Sequence, residues 1–256
     1  MQTGFETISL FIEQKVATLV LNRPKVLNAL NSKMAEELLD AFDQLIENEN
    51  VHVIVLTGEG RAFCSGQDLK EFEEPDQIQV ADVLNRGYNP LIMRIHTCPK
   101  VVIGKINGLA TGAGLSLALC CDMLISVKSA VFSMAFVRLG LVPDCGSSYL
   151  LPRLVGKSKA FELCALGQNF TANEAQKLGM VYGVAENLND LDEQVGELAQ
   201  KMASGPIAAL GMMKLLLLQS PDNDLETMLG KEALCQEQAV KTAYFKHATK
   251  AFQQKR

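Results

Sequence analysis

The stretch Gly104–Gly156, GKINGLATGAGLSLALCCDMLISVKSAVFSMAFVRLGLVPDCGSSYLLPRLVG, sets the fold of this chain. Lys100 to Ile106 reads as a strand. Gly112 to Cys121 is a short apolar helix opened by a glycine cluster, and Asp122 to Ser126 is a further strand. Strand, helix and strand in that rhythm predict an α/β fold with right-handed crossovers. A single acid, Asp144, then stands in a Pro-Asp-Cys-Gly-Ser-Ser turn.

The pattern extends upstream. Ile8, Leu10 and Ile12 alternate with polar neighbours, and the alternation resumes from Val16 to Leu21, which predicts a β-hairpin. NRPKVLNALN, Asn22 to Asn31, is turn-rich. Asn31 or Ser32 can cap a helix whose face is Met34, Leu38, Ala41, Phe42, Leu45 and Ile46. Val51 to Thr57 is nearly all apolar, as in a parallel strand covered on both faces. Gly58 to Lys70 is a loop without the Gly-Lys-Ser/Thr of a phosphate-binding loop. Glu71 to Gln79 is polar surface, followed by an amphipathic helix from about Val80 to His96.

Downstream of Gly146 the chain turns helical: Ser158–Gly167, Thr171–Leu178 with Thr171 and Glu174 as a capping box, Leu188–Ser204, Pro206–Leu218, and a long segment from Asn223 to Phe252. Leucines and methionines on more than one face of the tail predict burial, within the chain or against another subunit.

The 256 residues carry 48% hydrophobic side chains and a net charge of -5, so they can bury a full core and show no nucleic-acid-binding stripe. Seven cysteines without Cys-x-x-Cys spacing predict free thiols rather than zinc or disulfides, and the three scattered histidines give no metal motif. No secretory signal, membrane-length apolar run or Ser-Lys-Leu ending is present, so a cytoplasmic location is expected.

GLATGAG, Gly108 to Gly114, does not space its glycines as a dinucleotide fingerprint does. Its small residues let a carbonyl approach free N–H groups at the start of the helix, which favour an anionic oxygen. A purely structural turn accounts for the segment equally well. Asp144, on its own, reads first as a helix N-cap.

Four ordered segments change that balance: NRPKVLNALN, RAFCSGQDLKEF, NGLATGAGLSLALCCD and LGLVPDCGSSYLLPRLVG. Together they resemble the enoyl-CoA hydratase/isomerase (crotonase) superfamily, from about Phe5 to Arg256. The resemblance implies a ββα spiral core, expected over residues 1–195, and a helical C-terminal trimerisation region over 196–256, assembled as a homotrimer or hexamer. It also implies an acyl-CoA thioester substrate whose enolate is held by two backbone N–H groups, here those of Gln67 and Ala113. Because the donors are main-chain, neither side chain need be special. Coenzyme A would be part of the substrate, with no metal or other cofactor, no nucleic acid and no membrane partner. Lys25, Val26, Leu27 and Ala29, with Ser65, Gly66, Asp68, Leu69, Gly112 and Phe136, match positions that line the CoA and substrate site. Lys246 or Lys250 could meet CoA phosphates of a neighbouring subunit, or be plain surface lysines.

Hydratases of the superfamily use two glutamates, and Ser116 and Phe136 stand at those positions here. Neither can exchange a proton usefully at neutral pH, which counts against water addition. Asp144 matches the acid of the superfamily's isomerases. The resemblance thus implies transposition of a 3-enoyl-CoA double bond to the 2-position by one carboxylate, with Phe136, Leu139 and Val142 expected to desolvate Asp144. The β-oxidation of fatty acids is the expected context. The alternatives are a phenylacetate-pathway ring-opening (epoxyphenylacetyl-CoA) isomerase, an aromatic-CoA dehalogenase and a non-catalytic acyl-CoA binding subunit.

Overall fold

The computed structural model describes residues 4–72 and 80–254; the expected polar surface at Glu71 to Gln79 therefore lies mostly outside the described residues. A hairpin opens the fold. β1 (Ile8–Glu13) and β2 (Val16–Leu21) pair antiparallel through Gln14 and Lys15, both at positive φ as a two-residue hairpin turn requires. Next to it lie β3 (Val53–Gly58), β5 (Val101–Ile106), β7 (Met123–Val127) and β10 (Gly183–Ala185), all parallel, in the order β1-β2-β3-β5-β7-β10. Every residue of β3 is buried, which is why its sequence lacks polar alternation.

A second sheet, β4-β6-β8-β9, is made of much shorter strands: β4 (Ala62–Cys64), β6 (Leu109–Thr111), β8 (Val131–Ser133) and β9 (Phe170–Thr171). The chain winds through both sheets as a spiral. β3 and β4, then β5 and β6, then β7 and β8 each place one strand in the large sheet and one in the small. The turns of the spiral are not visible as a sequence repeat, because two- and three-residue strands show no period.

The helices are α1 (Ser32–Glu47), α2 (Val80–Val83), α3 (Asn89–His96), α4 (Ala113–Leu119), α5 (Ser147–Val155), α6 (Lys157–Leu166), α7 (Ala172–Lys177), α8 (Leu188–Ala203), α9 (Ile207–Gln219), α10 (Leu225–Ala239) and α11 (Ala243–Gln254). Asn31 is the cap of α1, its side chain accepting from Met34 N–H at 2.9 Å, and Met34, Leu38, Ala41, Phe42 and Leu45 are buried as the spacing predicts. The capping box of Thr171 and Glu174 is formed. The amphipathic segment at Val80 to His96 is not one regular helix, because a π-turn at Leu84–Tyr88 joins α2 to α3. The tail segment from Asn223 to Phe252 is likewise broken. Thr242 ends α10 and starts α11, its hydroxyl donating to Ala239 C=O at 2.7 Å and accepting from Phe245 N–H at 3.2 Å. The expected division at residue 195 falls inside α8, which packs on β3, β5 and β7. Among the described residues no single helix is long and apolar enough to cross a membrane. All seven cysteines are free.

Candidate active site

Two loops that leave the sheets are laced together by their main chains. Ser65 N–H donates to Leu27 C=O at 3.0 Å, Leu30 N–H to Gly66 C=O at 2.7 Å, and Asp68 N–H to Leu30 C=O at 2.7 Å. The lacing brings Lys25, Val26, Leu27 and Ala29 alongside Ser65, Gly66, Asp68 and Leu69, the grouping the resemblance implied. Lys25 and Leu69 are exposed there, and Ala29 and Gly66 are buried. Asp68 is committed elsewhere. Its carboxylate pairs with Arg23 at 2.8 Å, and Arg23 also donates to Ala29 C=O at 2.7 Å.

Asn28 completes the frame. Fully buried and at positive φ, it donates to the carbonyls of Glu59 and Ala62 at 2.9 and 2.8 Å and accepts from Arg23 N–H. Sequence reasoning passed over Arg23 and Asn28. The available signal was an asparagine, tolerant of the left-handed region, in a turn that also holds an arginine.

Gly66 sits at φ +98, and a Cβ there would lie 2.9 Å from Thr111 C=O and 3.6 Å from the nitrogen of Ala113. The Gly66–Gln67 backbone is thus packed directly on the start of α4. Gly112 donates its N–H to Ser133 C=O, while Ala113 is the first residue of the helix, where N–H groups have no intrahelical acceptor. Among the described residues neither Gln67 N–H nor Ala113 N–H donates a hydrogen bond. A Cβ on Gly114 would meet Cys64 C=O at 2.3 Å, so the helix approaches β4 as closely as glycine permits.

The side chain of Gln67, which the main-chain role leaves free to add a polar contact, is firmly engaged. Its Nε2 donates to Tyr88 Oη at 2.7 Å and to Glu71 Oε2 at 3.1 Å, and Tyr88 Oη lies 3.3 Å from the same carboxylate oxygen. Glu71 in turn accepts the free N–H of Ser32 at the start of α1, at 2.9 and 3.1 Å to its two oxygens. Tyr88 is buried, and desolvation, with the Glu71 charge adding to it, pushes its phenol up, so it stays protonated.

The positions that carry acids in the family's hydratases are closed to proton traffic. Ser116 is fully buried on α4, its hydroxyl donating to Gly112 C=O at 3.2 Å. Phe136, buried in the 3₁₀ segment Ala135–Leu139, has its ring edge 4.0 Å from the place a Gly112 Cβ would take.

Asp144 does not cap α5. That cap is Gly146, and only the main-chain carbonyl of Asp144 is used, accepting from Ser147 N–H at 3.0 Å and Ser147 Oγ at 2.8 Å. The carboxyl oxygen Oδ1 is shut off from solvent and has no hydrogen-bond partner among the described residues. Burial raises the Asp144 carboxyl above its ordinary range; the Cys145 thiol and Asp144's own N–H act in the opposite direction without cancelling it. Cys145 sits at φ +49 and is buried, its own thiol pushed up by desolvation, by Asp144, and by the nearby Cys120 and Cys64 thiols. Leu139 and Val142, expected to desolvate the acid, are themselves 58% and 78% exposed. The turn instead backs onto α3, where a Cβ on Gly146 would lie 3.1 Å from Ile92.

The spiral of ββα turns thus brings two unpaired amides, those of Gln67 and Ala113, close together at a buried helix start. A family model described as enoyl-CoA hydratase/isomerase matches residues 12–256. The 1,2-epoxyphenylacetyl-CoA isomerase of Escherichia coli (strain K12) is 38% identical over 254 residues, 98% of this chain and 97% of that one. The short-chain-enoyl-CoA hydratase of Clostridium acetobutylicum is 34% identical, covering 95% and 93% of the two chains. The crystal structure of an enoyl-CoA hydratase from Bacillus anthracis superposes with a TM-score of 0.92 at 33% identity, over 98% and 97% of the two chains. The chain belongs to the enoyl-CoA hydratase/isomerase family of the crotonase superfamily, whose members act on acyl-CoA thioesters and are typically oligomeric.

Proposed function

We propose that the protein is an acyl-CoA isomerase that moves a 3-enoyl double bond to the 2-position. The observation that carries this reading is the buried, partnerless Oδ1 of Asp144, with Ser116 and Phe136 where a hydratase keeps its acids. The Asp144 carboxylate takes a proton from C2, and the electron pair moves through the thioester to its oxygen. The N–H groups of Gln67 and Ala113 hold the resulting dienolate; a donor so placed contributes about 2.7–4 kcal/mol, chiefly in the transition state. Protonated Asp144 then returns the proton at C4. The cycle balances without metal or redox chemistry, and coenzyme A serves only as part of the substrate. Its contacts would come from Lys25, Val26, Leu27, Ala29, Ser65, Gly66 and Leu69, with Gly112 and Phe136 beside the acyl group. We take Asp68 to act indirectly, by fixing Arg23.

The likeness to the E. coli epoxyphenylacetyl-CoA isomerase favours a second reading, in which the same acid serves ring opening of a cyclic acyl-CoA. We further propose a homotrimer or a pair of trimers, working in the cytoplasm. Leucines exposed along the C-terminal helices, among them Leu217, Leu225, Leu229 and Leu234, support that assembly.

The deciding experiment offers 3-hexenoyl-CoA, a 2-enoyl-CoA and a 1,2-epoxyphenylacetyl-CoA separately to wild type and Asp144→Asn. The reading expects conjugated 2-enoyl product from the first substrate and a kcat loss of about 10²–10⁴-fold in the variant. Rapid water addition to the 2-enoyl ester overturns it. Turnover of the epoxide alone transfers the assignment to the ring isomerase, and binding without turnover of any ester leaves a carrier subunit.

A further inference from the structure

We propose that Gln67, Tyr88 and Glu71 form a clamp that aims the Gln67 N–H at the thioester oxygen, which makes Tyr88 and Glu71 positioning residues for catalysis. The inference rests on the oxyanion role given to Gln67 above. Donors and acceptors leave one arrangement. Glu71 is acceptor-only, so Gln67 must turn its amide nitrogen, not its oxygen, toward it. The two hydrogens of Nε2 then go to Tyr88 Oη and Glu71 Oε2, and the phenol's own hydrogen also goes to Glu71. Glu71 is fixed by the Ser32 N–H at the start of the 16-residue α1, where a negative charge is favoured. A residue whose side chain is held at two points, themselves bonded to each other, cannot rotate its peptide plane freely.

Two observations tie the clamp to the rest of the site. Tyr88 closes the π-turn at Leu84–Tyr88, an irregularity that swings its hydroxyl to Gln67 and that recurs at functional positions in helices. One helical turn further on, Ile92 abuts Gly146 in the turn that holds Asp144. A single helical segment therefore touches both the residue that bears the oxyanion donor and the turn that bears the base.

Tyr88→Phe removes one oxygen and keeps the packing; Gln67→Met keeps the length and removes the hydrogen bonds. Each is expected to lower kcat for 3-hexenoyl-CoA about ten-fold, a share of the roughly 10²–10³-fold a whole donor is worth, with KM within about two-fold of wild type. The double variant should be no worse than the poorer single one. Losses that multiply, or that appear only in KM, overturn the clamp. A second readout does not depend on turnover. A bound 4-dimethylaminocinnamoyl-CoA absorbs further to the red as its carbonyl is polarised, and both variants should lose a large part of that shift. A wild-type red shift without isomerisation sinks the proposed reaction and keeps the clamp; an unchanged shift in Tyr88→Phe sinks the clamp and keeps the reaction.

Discussion

Asp144 is half-buried, and its one oxygen shut off from solvent, Oδ1, is left without a donor among the described residues. A carboxyl whose pKa is higher in the folded than in the unfolded state favours folding when protonated. That contribution is full below the unfolded pKa and is lost as pH rises through the raised folded one. At neutral pH the ionised acid is thus a net cost, set against basicity gained for catalysis. Two outcomes are expected. In the pH profile of kcat/KM the acid limb, where activity falls as Asp144 is protonated, lies above the ordinary aspartate range. Thermal melts at pH 7 should put Asp144→Asn above wild type, even as activity is lost. A melt lowered by the substitution would show that the carboxylate has a stabilising partner.

At the scale of elements, the contact between α4 and β4 sets where the Ala113 N–H stands, and Gly114 is its tightest point. Gly114→Ala must push the helix off Cys64 C=O, at a cost of about 1–3 kcal/mol. A lower urea midpoint, together with a fall in kcat larger than the change in KM, is the expected result, because Ala113 N–H moves with the helix. The same elements show how far the sequence could be read. The long strands and amphipathic helices were legible from their periods, and the glycine cluster and lone acid were legible as motifs. The second sheet was not, since strands as short as Phe170–Thr171 carry no period and exist only because neighbouring strands pair with them. The work of Gln67's side chain was equally hidden. Its partner Tyr88 lies 21 positions away and reaches it only through a π-turn. Leu139 and Val142, apolar and close to Asp144 in sequence, were natural candidates to bury it. Both are exposed, while Gly146 in the same turn packs on Ile92.

At the scale of the whole molecule, the C-terminal helices are anchored by Lys214 of α9. Nearly buried, it donates to Asp122 at 2.9 Å and to Ile95 C=O at 3.4 Å, while Asp122 also accepts Val102 N–H at 2.8 Å. Burial raises the Asp122 carboxyl, and Lys214 opposes the shift without abolishing it. Lys214→Met leaves that acid unpaired and should lower the unfolding free energy by about 3 kcal/mol, with Lys214→Met/Asp122→Asn recovering part of the loss in urea titrations. Beyond this anchor, α10 and α11 project exposed leucines and aromatics. If a subunit interface covers them, Leu225→Glu/Leu229→Glu should shift the sedimenting species toward monomer at micromolar concentration while leaving the far-ultraviolet circular dichroism unchanged. Unaltered sedimentation would place the contact elsewhere.

The unpaired N–H groups of Gln67 and Ala113 belong to peptide bonds, and that has a consequence for heredity. No codon change short of proline can delete such a donor; substitutions can only tilt it. The acid, by contrast, is one codon from neutrality. Over generations a protein built this way keeps its hold on a thioester while its reaction drifts, so descendants that share the pocket are free to part company in chemistry.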